Sequence, residues 1–309
     1  MKPISRRKFS ELMAFSALAG CAAPRPKNSE PVDWQLYSPD RYGAPSDAII
    51  PWRLVAMSDL IASGVLSAPS EAVLASAQFR KKSVTLSLAV SKIFKGETSR
   101  QSLEIEYWPG QPHQPTPVNV IAARDSTSDI FLALSDEDDG TIGPYHFSPS
   151  VDPALQPASI ALNKALAEEV ARQETLAART AQFLIDHVPP NDGYVAALIE
   201  QLMVERTAYD ASQELLSLGL AHAAALVHQM DDRRPLAIDH ISAPAPAGSF
   251  ESVIHYGPET VVDLVSVALQ QATGDYLGAT ANGGSERARR RVVDAWRVWL
   301  GRSLRLPAI

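Results

Sequence analysis

The pattern of hydrophobic and polar residues changes once along the chain, near residue 150. Between residues 49 and 147 apolar residues recur at every second position, as in Val84, Leu86, Leu88 and Val90. This alternation is typical of β-strands with one face on a core, and its shift at residues 93 and 94 is what a β-bulge requires. We therefore predict five or six antiparallel strands in a small barrel or sandwich, among them 60–66, 84–94, 103–107, 118–123 and 130–134. The last of these is apolar on both sides and should be central.

The second half of the chain has helical spacing instead. After a Pro-rich hinge at residues 148–157, the apolar residues recur at intervals of three and four. Helix start and stop signals then place five helices, over residues 159–187, 194–206, 210–230, 258–272 and from Ser285 onward. In the last helix the apolar side chains share one face, while seven arginines follow from residue 287 to 305. Those arginines suit either anionic lipid headgroups or an acidic partner, or else pair with the protein's own carboxylates.

These patterns predict an α+β protein of two domains behind an N-terminal extension. Residues 1–20 are interpreted as a signal peptide, and residues 21–48 as a modified cysteine followed by a Pro-rich tether. Residues 49–150 would form the β-domain and residues 158–309 an all-α domain. With 46% hydrophobic residues, the sequence has enough apolar material for both cores.

Two short stretches resemble known structural families. Ser58 to Ile61, Gly64-Val65 and Lys95-Gly96 are similar to bacterial domains of the netrin and protease-inhibitor type. That resemblance implies a barrel of the oligonucleotide/oligosaccharide-binding (OB) kind. Residues 194–233, with Leu215, Leu218, Gly219 and Ala221 among their small and apolar positions, resemble a HEAT-type repeat, which implies an array of paired helices with flanking helices as caps.

The N-terminus has the parts of a bacterial export signal. Residues 1–8 are basic, and residues 12–19 are apolar but far shorter than the roughly 20 residues that span a bilayer as a helix. Residues 5–9 resemble the twin-arginine motif, which implies export of an already folded protein. Ser10 replaces the aliphatic residue that usually follows. The positions that carry the motif are Arg6, Arg7 and Phe9.

The apolar segment ends at the sequence's one cysteine. Leu18, Ala19, Gly20 and Cys21 resemble a lipobox, which implies that Cys21 is acylated and becomes the mature N-terminus. Each buried methylene contributes about 0.8 kcal/mol, so several acyl chains would anchor the protein to the membrane permanently. Ala22, in place of a retention aspartate, implies the periplasmic face of the outer membrane. The alternative is a plain secretory signal with an unmodified thiol.

The net charge and the single cysteine limit the kinds of partner and bond that we expect. The formal net charge is −7, and loss of the basic signal would make the mature protein more acidic. Proteins bind nucleic acid through clusters of Lys and Arg that contact the phosphates. We expect no nucleic-acid partner for an acidic protein. With its one thiol acylated the protein would have no disulfide, and its stability would come from packed cores.

The candidate binding segment is residues 234–257, because long irregular segments in compact domains are often functional. Its polar and aromatic side chains are Asp239, His240, Phe250, Glu251, His255 and Tyr256. A structural connector is the alternative. A metal site at His240 and His255 is a second alternative, and the acidic run 136–140 does not have the spacing of a calcium loop. Motifs of zinc proteases, serine hydrolases and P-loop proteins are absent from the sequence.

These observations favour a lipid-anchored envelope protein that binds a protein partner, without catalysis and without a cofactor. A narrower version is a periplasmic inhibitor or immunity protein that neutralises a hydrolase acting on the envelope. The third possibility is a metal-dependent hydrolase with its site near His240 and His255.

Overall fold

The fold is described from a computed structural model, which covers residues 34–36, 52–109, 115–126, 129–135, 145–147, 155–245, 252–278 and 280–307. The described residues all belong to one compact unit that begins at Trp34. The signal and lipobox positions, Arg6 to Cys21, lie outside the described residues. So do most of the predicted tether and the acidic run 136–140.

Six strands and three short helices come from the first half of the chain. The strands are β1 (Leu60–Ser67), β2 (Val84–Lys95), β3 (Ser102–Tyr107), β4 (Ile130–Ser135), β5 (Tyr145–Phe147) and β6 (Leu155–Pro157). The helices are α1 (Trp52–Met57), α2 (Glu71–Arg80) and α3 (Pro117–Arg124). The strands form one sheet in the order β1-β2-β3-β5-β4-β6, and β4 also pairs with β1.

The register of the sheet confirms several sequence predictions. Strands β1 and β2 are antiparallel, and their pairing skips one residue at Phe94 and another at Ser91, where bulges shift the register. Strand β4 is central, since it pairs with β1, β5 and β6. One pair, β3 with β5, is parallel, so the sheet is not wholly antiparallel. Because β5 pairs with each neighbour over only two residues, the described strands do not form a fully closed barrel wall.

One strand prediction in this half is wrong. Residues 118–123, predicted as a strand, lie in helix α3, where the Thr116 hydroxyl accepts a hydrogen bond from the Asn119 amide and Pro117 occupies the first turn. Val120 and Ala123 are buried, and their spacing of three is that of a helix face. The last three residues of the predicted hinge form β6, which pairs with β4, and residues 148–154 lie outside the described residues.

Helices and one hairpin make up the second half. The helices are α4 (Ile160–Asp186), α5 (Asp192–Leu202), α6 (Glu205–Leu216), α7 (Ala223–His228), α8 (Val261–Thr273) and α9 (Glu286–Ser303). The hairpin consists of β7 (Ile241–Pro244) and β8 (Val253–Tyr256). Ser159 and Ser285 cap α4 and α9 with their hydroxyls, at the predicted starting points.

Other boundaries differ from the predictions. The helix expected over 210–230 is broken between Leu216 and Ala223, and its first part begins earlier, at Glu205. Helix α8 begins at Val261 and not at Pro258, because Thr260 and Asp263 form a capping box there. The segment 234–257, predicted to be irregular, contains the β7–β8 hairpin.

Two hydrophobic cores meet at helices α1 and α4. In α1, Leu54 and Val55 pack in the core of the sheet, whereas Trp52 and Ala56 pack in the core of the helices. The N-terminal part of α4 joins the core of the sheet, and its C-terminal part joins that of the helices. Helix α9 approaches α4 so closely that a Cβ on Gly301 would lie 2.4 Å from Thr180 Oγ1. The sheet and the helices are therefore held together by shared elements.

The expected combination of α and β structure is confirmed. Helices and a mainly antiparallel sheet occupy the halves of the chain that the two hydrophobic patterns indicated. None of the described helices has the length and apolarity needed to cross a membrane.

Candidate functional site

A cleft opens where the sheet meets helices α1, α4 and α9. Its volume is about 490 Å³, within the range of ligand-binding clefts. Small and apolar side chains form part of its wall: Ala56, Ala177, Ala178, Ala295 and Val298. The charged groups of the wall are four cations, Lys95, Arg287, Arg291 and Arg297, and three carboxylates, Asp59, Glu174 and Asp294. We call this the junction cleft.

The end of strand β2 brings Lys95 into the junction cleft. Gly96 follows it with φ of 76°, a left-handed conformation that most side chains disfavour. A Cβ on Gly96 would lie 2.2 Å from the Asp59 carbonyl oxygen. Glycine is therefore required on two grounds, and it lets the turn after β2 pass close to the start of β1.

Asp59 is fixed by helix α9. Arg291 Nη1 lies 2.7 Å from Asp59 Oδ2 and donates a second hydrogen bond, at 2.9 Å, to the Met57 carbonyl. Arg287 Nη2 also approaches the Asp59 carbonyl oxygen at 3.5 Å. Only 2% of the Asp59 side chain and 12% of the Arg291 side chain are exposed. The ion pair is thus a shielded link between the sheet and α9.

Lys95 is the unusual group of the cleft. Its ammonium donates to two backbone carbonyls of α1, those of Val55 and, at 3.4 Å, Ala56. Burial lowers the pKa of Lys95 to about 8; Asp59, Asp294 and Glu174 act against this, and Arg291 adds to it. Among the described residues no carboxylate oxygen lies within 4.0 Å of the ammonium. Lys95 is therefore a half-buried cation whose close partners, in the described part of the chain, are backbone carbonyls.

A serine in the same wall does not form a catalytic pair with Lys95. The Ser58 side chain is fully buried, and its hydroxyl donates to the Leu54 carbonyl at 2.5 Å. A nucleophilic serine needs a hydrogen bond to its base. Ser58 therefore closes the end of α1, and its hydroxyl donates to the backbone of that helix and not to Lys95.

The described part of the predicted binding segment contains the β7–β8 hairpin. Asp239 and His240 are exposed just before β7, and His255 is exposed on β8. His255 Nδ1 lies 2.9 Å from Ser242 Oγ across the hairpin, and Tyr256 packs partly buried against the core of the helices. Burial raises the pKa of Tyr256. Phe250 and Glu251 lie outside the described residues.

The described residues do not form the metal site suggested for His240 and His255. Within the described ranges, no three His, Cys, Asp or Glu side chains are close enough together to hold a metal ion. His255 contacts Ser242. His228, on α7, instead lies 2.8 Å from the Asp192 carboxylate, where it joins α7 to α5.

The arginines of α9 mostly contact the protein's own carboxylates. Besides Arg291, Arg289 binds the fully buried Asp263 at 3.0 Å, and Arg302 lies 3.9 Å from Glu169. Arg290 and Arg297 also pair with acidic side chains. Of the alternatives for these arginines, the contacts favour internal pairing.

Sequence reasoning missed the junction cleft. Asp59, Lys95 and Gly96 belonged to the motif that suggested the OB-like barrel, but nothing in their spacing marked them as neighbours of α9. The available signal was a lysine at the end of an amphipathic strand beside a glycine, together with an arginine-rich helix. No known protein family, no curated protein and no solved structure matches this chain.

Proposed function

We propose that this chain is a lipid-anchored protein of the bacterial cell envelope that binds another protein without catalysing a reaction on it. The observation that carries the proposal is the β7–β8 hairpin, whose inner side is buried against the helices and whose outer side exposes His255, one of the predicted binding residues. We call its outer surface the hairpin face; it consists of Ser242, Pro244, Val253 and His255.

The inner side of the hairpin is fixed to the helices. Ile241 and Ala243 are buried in the core of the helices. Two glutamines hold the backbone of β7: Gln213 on α6 donates to the Ser242 carbonyl at 3.4 Å, and Gln271 on α8 donates to the Pro244 carbonyl at 2.9 Å. A surface held in this way loses little conformational freedom when a partner binds.

The outer side offers groups that suit a protein interface. Val253 is 43% exposed, and its neighbour on the same side of the strand, His255, carries an imidazole that donates or accepts hydrogen bonds. Tyr209 is 51% exposed and lies one helical turn before Gln213, on the side of α6 that contacts the hairpin. Tyrosines of this kind are enriched among residues that dominate binding energy.

The finer features of the fold belong to the same proposal. We infer an OB-like arrangement for the sheet, supported by the ring of pairings β1–β2–β3–β5–β4–β1. We also infer a HEAT-like relation between α5 and α6, supported by their short connection and their shared core. Both architectures present broad surfaces for binding.

The proposed lipid anchor is supported by the sequence motifs of the N-terminus. Acylation of Cys21 behind Leu18, Ala19 and Gly20, after export directed by Arg6, Arg7 and Phe9, would place the protein on the periplasmic face of the outer membrane. The folded body would then meet partners that are themselves fixed in the envelope or diffuse in the periplasm.

Site-specific photo-crosslinking in living cells tests the hairpin face. A benzophenone amino acid replaces His255 in one variant and Lys164 in a control, since Lys164 is exposed on α4, remote in sequence from the hairpin. We expect a discrete protein adduct at position 255 and none at position 164. Equal labelling at both positions, or none at either, would contradict the proposal. A cell-wall hydrolase as the adduct would narrow the function to inhibition.

A further inference from the structure

The most exposed large apolar side chains of the described residues come from neighbouring helices. They are Phe79 on α2 at 90%, Ile160 on α4 at 90% and Val118 on α3 at 73% exposure. Surface hydrophobic residues are normal when they are scattered singly. These three belong to one surface only if α2, α3 and the start of α4 lie together.

The end of α2 lies beside the start of α3. Val84 begins β2, four residues after α2 ends, and it pairs with Tyr107 on β3. The buried Tyr107 hydroxyl donates a hydrogen bond to the Pro115 carbonyl at 2.7 Å, two residues before α3 begins. The last turn of α2, which carries Phe79, and the first turn of α3, which carries Val118, are therefore linked through one tyrosine.

The start of α4 approaches the same part of α3. Asn119, which follows Val118 in the first turn of α3, lines one depression together with Pro157 of β6. Ile160 begins α4 three residues after Pro157. The three exposed apolar side chains are therefore carried by segments that meet around the first turn of α3.

Three consecutive cations follow Phe79. Arg80, Lys81 and Lys82 are exposed, and no carboxylate oxygen of the described residues lies within 4.0 Å of them. Glu71 is at the opposite end of α2, about 13 Å along the helix, which exceeds the Debye length of about 8 Å at physiological ionic strength. A helix C-terminus favours cations by itself, but that does not account for an exposed phenylalanine beside them. We call this surface the basic apolar face; it consists of Phe79, Arg80, Lys81, Lys82, Val118 and Ile160.

The carboxylates on the α3 and α4 side leave the α2 end as the basic part of the face. Asp125 lies 2.8 Å from its neighbour Arg124. Glu168 on α4 lies 3.8 Å from Lys164. Asp129 precedes β4, and its carbonyl accepts a hydrogen bond from the Ala158 amide, so this carboxylate belongs to the Ile160 side. The cations beside Phe79 are thus the positive part of the basic apolar face.

This combination of side chains is typical of a surface that contacts a membrane. Lys and Arg keep their charges among the headgroups while aromatic and aliphatic neighbours enter the boundary with the acyl chains. The cores of protein interfaces, in contrast, are depleted in lysine. Anionic headgroups supply the charge that would pair with Arg80, Lys81 and Lys82.

The proposed tether is long enough for this face to reach the membrane. Trp34 packs against Phe183, which is about 35 Å along α4 from Ile160. The chain between Cys21 and Trp34 spans at most about 45 Å. A body that rests on the basic apolar face therefore stays within reach of an acylated Cys21.

We propose that the basic apolar face binds the surface of an anionic phospholipid membrane, with Phe79 among the headgroups and the three cations against their phosphates. The proposal rests on the proposed function only for the identity of that membrane, the one to which Cys21 would be fastened. The hairpin face takes no part in this contact.

A fluorescent probe beside the face tests the proposal in the full-length chain. Cys21→Ser removes the native thiol, and Ser76→Cys, exposed one turn before Phe79, carries an environment-sensitive dye. The control dye is on Gln182→Cys, exposed near the end of α4 where Trp34 packs. The vesicles carry brominated acyl chains as quencher and consist of phosphatidylglycerol and phosphatidylcholine in equal parts, or of phosphatidylcholine alone.

We expect anionic vesicles to quench the dye at position 76 and not the dye at position 182. Quenching at position 76 should be about 10-fold weaker with phosphatidylcholine alone. Equal quenching at both positions, equal quenching by both kinds of vesicle, or no quenching at position 76 would overturn the proposal. Because Cys21→Ser cannot be acylated, such a failure would leave the proposed lipid anchor intact, and failure of the anchor would not alter this result.

Substitutions separate the apolar and the basic parts of the face. Phe79→Ser should weaken binding to the anionic vesicles about 10-fold, because an apolar group is lost from the boundary. Replacing Arg80, Lys81 and Lys82 together by Gln should weaken it about 10- to 100-fold, as should added salt. Circular dichroism checks that each variant remains folded.

Ile185→Ser is the matched control for Phe79→Ser. Ile185 is 69% exposed near the other end of α4, so its replacement removes a similar apolar group outside the basic apolar face. We expect binding to change by less than about 2-fold, as for an exposed residue without a role in the contact. Equal losses in Ile185→Ser and Phe79→Ser would contradict the assignment of the membrane contact to this face.

Discussion

Arg291 on helix α9 and Asp59 at the start of strand β1 form a shielded ion pair, with 2.7 Å between Nη1 and Oδ2. The two residues are 232 positions apart in the sequence. Helix α1 supplies a third member, because Arg291 also donates to the Met57 carbonyl. The contact therefore ties the sheet, α1 and the last helix together at the base of the junction cleft.

Breaking this pair should destabilise the whole fold. Asp59→Asn removes the carboxylate that lies against the Arg291 guanidinium, and removal of one member of a buried pair costs about 3–5 kcal/mol. We expect the free energy of unfolding to fall by about 3 kcal/mol, the lower end of this range, since 12% of the Arg291 side chain is exposed. Urea unfolding followed by circular dichroism measures it. Arg290→Met is the control, because the Arg290 pair with Glu286 is exposed at 3.8 Å and should change stability by less than about 0.5 kcal/mol. Similar losses in both variants would contradict this role.

The contact between α4 and α9 depends on the absence of a side chain at position 301. Gly301→Ala would place a methyl group 2.4 Å from Thr180 Oγ1 and 2.8 Å from Leu176 Cδ1, so these side chains or the two helices must shift. We expect a loss of about 1–3 kcal/mol in the free energy of unfolding, as for other overpacked cores. Gly193→Ala, on α5, meets nothing within 4 Å and should instead stabilise by about 0.5–1 kcal/mol. Thermal unfolding of both variants shows whether each change raises or lowers the stability. A stabilising Gly301→Ala would contradict the close packing of the two helices.

The pH dependence of stability should reveal the lowered pKa of Lys95. Its pKa is about 8 in the folded protein and near 10.5 when it is exposed on unfolding. Between these values the unfolded chain holds a proton that the folded protein has released, so this group makes stability rise with pH. The charged groups that act on Lys95 are Asp59, Asp294, Glu174 and Arg291.

Lys95→Met removes this contribution and is compared with the unaltered protein by urea unfolding at several pH values. We expect the stability of the unaltered protein relative to Lys95→Met to be lowest below pH 8 and to increase toward pH 10.5. Lys92→Met, whose side chain is exposed, should show a constant difference across the same range. A constant difference for Lys95→Met as well would mean that Lys95 has its ordinary pKa.

Local sequence signals predicted the elements whose ends or faces are determined locally. The alternation from Val84 to Val90 predicted β2, and the caps Ser159 and Ser285 predicted where α4 and α9 begin. Residues 118–123 were assigned wrongly because a short apolar run is compatible with both strand and helix. There the Thr116 cap and Pro117 decide the outcome, and both precede the run.

The junction cleft could not be predicted in the same way. Its charged residues come from β2, α4, α9 and the turn before β1, and only the tertiary fold brings them together. The hairpin was also hidden, because Pro235, Pro244 and the residues after them indicate an irregular segment. Pro244 is tolerated at the end of β7, where a strand does not need every backbone donor.

The most direct test of the central claim is metabolic labelling with a radioactive fatty acid, in cells that produce the unaltered chain or Cys21→Ser. Our account predicts that the unaltered protein is labelled and sediments with the outer membrane. It also predicts that Cys21→Ser is unlabelled, retains its uncleaved signal and no longer fractionates in the same way. An unlabelled wild-type protein, or identical processing and fractionation of the two chains, would contradict the proposal that this protein works while fastened to an envelope lipid layer.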